Sequence, residues 1–179
     1  TEDTGGRSIA IGTGALQMQN NDANNYNIAI GHSAGNLVST GTQNIIIGGL
    51  AGDAMTTGTN NVAVGYQALT TQVEYGQNVA IGTQALRDQN VNGHGNNTAV
   101  GHLAGLSVTT GVKNTMIGSL AGDAMNTANN NTAVGFDALT SEVKGGRNVA
   151  IGVSALYTQS NASDLDIYNT AIGYNAGYS

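Results

Sequence analysis

Three histidines, His32, His94 and His102, are the side chains of this sequence best suited to proton transfer or metal ligation. His32 and His102 stand at the same place in a repeated motif, four copies apart. Stacked coils would hold them roughly 19 Å apart at about 4.8 Å per coil, so they cannot share a metal within one chain. Three copies of His32 on a symmetry axis could ligate, but a surface imidazole is the plainer reading. Asp53 and Asp123 lie in Leu50–Met55 and Leu120–Met125, two identical hexapeptides. Calcium-binding β-rolls carry Gly-Gly-x-Gly-x-Asp arrays; none occurs here, and the two aspartates read as turn residues. No phosphate-binding Gly-x-x-x-x-Gly-Lys-Ser/Thr loop and no Gly-x-Ser-x-Gly nucleophile turn is present. Asn96, Asn130 and Asn161 begin Asn-x-Ser/Thr triplets of a frequency expected by chance. The sequence therefore offers no catalytic set, no metal site and no cofactor site.

Composition points the same way. The chain is 40% hydrophobic, 4% aromatic and 9% charged, with 27 glycines, no proline and no cysteine. Thick cores use large aromatic anchors; small β-branched residues and glycine suit thin stacked β-structure. The net charge is -6, and the five basic residues (Arg7, Arg87, Lys113, Lys144, Arg147) are dispersed. Nucleic-acid binding needs clustered positive charge, so it is set aside. No apolar run is long enough to insert into a membrane.

The chemistry-bearing residues sit in a repeat. The pattern Asn-φ-Ala-φ-Gly-x-x-Ala-(Leu or Gly), with φ apolar or Thr, occurs ten times between Ser8 and Gly177. Its glycines are Gly12, Gly31, Gly48, Gly65, Gly82, Gly101, Gly118, Gly135, Gly152 and Gly173, one per coil. A second, longer period groups the coils in fours, so that Leu50–Met55 returns unchanged as Leu120–Met125. The expected fold is all-β: one parallel β-roll or β-solenoid over residues 1–179, its ten coils of 17–21 residues forming a rod on the order of 45–50 Å long.

Each motif position has a physical reading. The second φ is Ile or Val in every copy, from Ile11 and Ile30 to Ile172, and is expected to form a ladder inside the coil. Its neighbour is small in eight copies: Ala10, Ala29, Ala63, Ala80, Ala99, Ala133, Ala150 and Ala171. Adjacent strand residues point to opposite faces, so these alanines are expected to press on neighbouring chains around a three-fold axis. The Asn before each strand is expected to stack into an amide ladder, and the motif Gly to supply a positive φ or a close backbone approach. The segments between motifs, such as 37–43 and 70–77, read as return strand and turns.

Asn27–Gly35, Asn78–Leu86 and Asn169–Gly177 (NIAIGHSAG, NVAIGTQAL, NTAIGYNAG) resemble the head repeats of YadA-like trimeric autotransporter adhesins and similar repeats in trimeric bacteriophage tail fibres. The resemblance covers Ser8–Gly177. It implies a left-handed coil, a homotrimer, a place on a virion tail fibre or an extracellular cell surface, and a structural or adhesive role in host attachment. The bacterial repeat is shorter and carries Ser at the motif Ala, so the viral form is the nearer match. Further repeats or fibre domains are expected on both sides in a longer parent protein, because solenoids cap their open ends and no cap is written here. A third reading is an enzyme of the left-handed β-helix acyltransferase kind, since Ile30–Gly35 fits its six-residue pattern. Non-contiguous hexads and short connecting segments speak against it.

One motif column stays variable, the residue after the Gly: Thr13, His32, Gly49, Tyr66, Thr83, His102, Ser119, Phe136, Val153 and Tyr174. Packing does not choose it, so solvent is its expected environment. Tyr66, Phe136, Tyr174, His32 and His102 are the candidate contacts to a glycan or protein receptor, with a spacer that binds nothing as the bland alternative.

Overall fold

The computed structural model describes residues 7–19, 24–161, 163 and 165–178. Ten three-residue strands form one parallel sheet: β1 Ile9–Ile11, β2 Ile28–Ile30, β3 Ile45–Ile47, β4 Val62–Val64, β5 Val79–Ile81, β6 Thr98–Val100, β7 Thr115–Ile117, β8 Thr132–Val134, β9 Val149–Ile151 and β10 Thr170–Ile172. Their spatial order is their chain order, in register throughout. Each strand opens one coil of a β-solenoid, numbered here like its strand. No helix among the described residues is long and apolar enough to cross a membrane.

The coil closes because its corners are fixed by the backbone. The motif glycines have φ between +123° and +142°, where a Cβ is costly. They also stack: a Cβ on Gly31 would lie 2.6 Å from the Gly48 carbonyl oxygen of the next coil. Both roles expected of this glycine are therefore present. Four residues on, Leu or Gly occupies a second corner at positive φ, as at Leu69 (+53°) and Gly52 (+51°).

The asparagines form the expected ladder. Asn44 is buried. Its Oδ1 accepts the Asn61 backbone N–H at 3.0 Å, and its Nδ2 donates to the Gly58 carbonyl at 2.8 Å. The same backbone-to-amide step recurs from Asn27 to Asn169. Unmet buried polar groups cost about 1–3 kcal/mol each. Asn44→Ala strands at least the Asn61 N–H, and is expected to destabilise the rod by about 3 kcal/mol, read as a lowered denaturant midpoint.

The strand faces are the reverse of the sequence expectation. Asn27, Ala29 and Gly31 alternate, so the face that carries the buried amide also carries the alanine. Ala29, Ala63, Ala80, Ala99, Ala133 and Ala150 have no solvent exposure and line the chain's own coil. Ala171 is nearly as buried, and Ala10, on the edge strand β1, is exposed. Ala10 pairs in register with Ala29, so all eight alanines take the inward side of their strands and not the outer face expected of them. The Ile and Val of the ladder instead point outward: Ile11, Ile81, Ile117, Ile151 and Ile172 are exposed, and Ile30, Ile47, Val64, Val100 and Val134 half-buried. The coil is too thin for two β-branched side chains per strand beside the amide.

Inside, bulk is traded between positions. Where the second corner is Leu (Leu16, Leu69, Leu86, Leu139, Leu156), the residue three later is Gln or Glu; where it is Gly in coils 2, 3, 6 and 7, that residue is Val38, Met55, Val108 or Met125. A glycine also makes room for its neighbours above and below. A Cβ on Gly35 would lie 2.8 Å from Ile46 Cδ1 and 3.2 Å from Leu16 Cδ2, and one on Gly105 would lie 2.8 Å from Met116 Sδ and 3.0 Å from Leu86 Cδ2. The four-coil period is thus a packing period: a Leu coil, a Gly coil and a coil with a bulky mid-strand residue must follow one another.

Candidate functional site

The variable column stands on a rigid frame. From Thr13 to Val153, each column residue's carbonyl accepts an N–H from the next coil: Leu50 to His32 at 2.9 Å, Gln84 to Tyr66 at 2.8 Å, Ser154 to Phe136 at 2.8 Å. The backbone is therefore pinned while the side chains project outward. Tyr66, Phe136 and Tyr174 are 51%, 49% and 78% exposed, and His32 and His102 are exposed as well. The Tyr66 ring lies over Gly49 of the preceding coil, 3.6 Å from where a Cβ there would stand. Ser119 and Phe136 occupy the same two places four coils on. The column is a row of separate side chains along one corner of the rod, with small residues between the rings.

The histidines do not converge. His32 borders an open depression with Thr13, Gln17 and Ser33. His94 lies elsewhere, edge-on to Tyr75 with ring centres 6.1 Å apart. Among the described residues no group of three or more His, Cys, Asp or Glu side chains could hold a metal. Ile30–Gly35, the hexad of the acyltransferase reading, is the end of β2 and its corner, part of the frame common to every coil.

Asp53 and Asp123 lie in turns, as their context predicted. Burial pushes the Asp123 carboxyl above its ordinary range, against the Thr140 hydroxyl, 2.8 Å from Oδ1, and the N–H groups of Asp123 and Ala124, which hold it down. Asp137 in the next coil is also raised, first by burial and then by the charge of Asp123. A carboxyl raised in the folded state binds more protons folded than unfolded, so stability falls as pH rises from the ordinary value, 3.8, through the folded one. Asp123→Asn is expected to raise Tm by a few degrees at neutral pH. The gain should fade on acidification to 3.8; a gain independent of pH would assign it to packing.

Two features escaped the sequence reading. The Ile/Val ladder expected inside is the outer face, and the buried asparagine two residues before the motif alanine marks the inward side. Periodicity does not announce the Tyr75–His94 pair; its signal is a break in the four-coil repeat, where Val73-Glu74-Tyr75 is answered by Val143-Lys144-Gly145. Compared with protein-family models, curated proteins and solved structures, the chain matches none.

Proposed function

We propose that this chain is a structural and adhesive segment of a trimeric surface fibre, of the kind bacteriophage tail fibres use to attach to a host. The observation that supports it best is the outer sheet face. Ten in-register strands present two outward positions each, and sixteen of the twenty are Ile or Val. A soluble monomer seldom leaves so long an apolar strip open, and parallel rods sharing one axis would cover it. The number three and the left-handed coil come from the resemblance of NIAIGHSAG and its copies to trimeric fibre and adhesin repeats. The head of a bacterial trimeric adhesin would use the same rod.

Attachment is assigned to the exposed column. Changing Tyr66, Phe136 and Tyr174 together to Ser removes three rings without touching the coil interior. Binding of labelled rods to host cells is expected to fall about tenfold or more, since each ring contact contributes on the order of 1 kcal/mol, while sedimentation stays that of the parent. Unchanged attachment would make the segment a spacer.

A further inference from the structure

We infer that the depression between the turns of coils 4 and 5, lined by Val73, Glu74, Tyr75, Asn90, Val91 and Asn92, is a binding subsite for a neutral pyranose. It rests on the attachment reading above but lies apart from the column. Tyr75 is exposed, and its backbone is pinned: its carbonyl accepts the Thr59 N–H at 3.1 Å and the Asn61 amide at 3.4 Å. The His94 ring stands nearly perpendicular to the Tyr75 ring, at 83°, and holds it beside three exposed polar side chains, Glu74, Asn90 and Asn92. A ring face for sugar C–H groups, amides that donate and accept, and a carboxylate that accepts from hydroxyls make up the chemistry of a saccharide site. Glu74 lines it and no cationic side chain does. That disfavours uronic and sialic acids.

The repeat itself shows why the space is open here. In the following block, buried Glu142 ties two turns together: its Oε1 accepts the N–H groups of Gly145 at 2.7 Å, Lys144 at 3.2 Å and, from the next coil, Asn161 at 3.1 Å. A side chain at Gly145 would strike Ile167 and Glu142. In the earlier block the equivalent residue is Gln72. Its amide nitrogen donates to the Glu74 carbonyl, while its buried Oε1 has no partner. The side-chain tie that Glu142 makes is missing here, although the Gly95 N–H still donates to the Gly76 carbonyl at 3.2 Å, and Tyr75 stands where the later block has glycine.

That internal copy supplies the test. Tyr75→Gly and Glu74→Lys install the residues of the next block, and glycine accepts the positive φ of Tyr75. Folded rods are applied to a printed panel of neutral and acidic oligosaccharides, with attachment to host cells measured in parallel. Retention on neutral hexosides is expected. Tyr75→Gly should weaken it about tenfold or more, and Glu74→Lys should shift retention toward acidic sugars. Neutral saccharide bound equally by Tyr75→Gly overturns the subsite while leaving the attachment reading in place. No saccharide bound by the parent rod also overturns it, and cell attachment then judges the wider reading on its own.

Discussion

A rod carrying Gly48→Ala is expected to lose about 3 kcal/mol or more of stability, whereas Gly49→Ala, one residue on, leaves it near the parent value. Gly48 has φ +129°, and an added Cβ would stand 2.5 Å from the Gly65 carbonyl oxygen and 2.7 Å from its carbon, inside the 3.0 Å that real Cβ atoms keep. That carbonyl is backbone and cannot swing away. Coils 3 and 4 must part at this corner, and the ladder bonds beside it, Gly65 N–H to Ile47 at 2.8 Å and Gln67 N–H to Gly49 at 3.0 Å, weaken with them. At Gly49 the nearest atom to the new Cβ is Tyr66 Cδ2, at an ordinary 3.6 Å. Thermal unfolding followed by circular dichroism reads the pair. Equal midpoints for the two variants would show that the glycine column is not what sets the coil spacing.

The second large effect separates the two faces of a strand. Val64→Glu with Ile81→Glu puts charge on the outer face of β4 and β5, and the rod is expected to fall apart into folded monomers. Ala63→Glu, between Val62 and Val64, drives a carboxylate into the coil beside the amide ladder, and is expected to cost about 3–5 kcal/mol and the fold itself. Sedimentation equilibrium with circular dichroism distinguishes them: a β-rich species of 18.0 kDa for the outward pair, an unfolded chain for the inward change. An outward pair that sediments with the parent would remove the apolar strip from the interface. A parent that itself sediments as one 18.0 kDa species at micromolar concentration would remove the trimer.

Much of this architecture is legible in the residues alone. Gly12 and its nine successors fix the coil count and length, because only glycine survives a positive φ with another backbone stacked against it. The asparagines from Asn27 to Asn169 fix the register, because an amide that both donates and accepts along the stack works only when every copy is aligned. The variability of Thr13, His32, Gly49 and Tyr66 against a constant frame fixes that column as surface. What periodicity could not decide is which side of a three-residue strand turns inward. Ile28-Ala29-Ile30 is apolar at every position, and hydrophobicity alone sends the larger side chains inside. The closed coil reverses that choice: its width leaves room for Asn27, Ala29 and the Ala34–Gly35 corner, and for Ile46 only where Gly35 and Gly52 give way. The two outer rows of Ile and Val are what the narrow interior cannot hold, and only the tertiary structure shows them left outside.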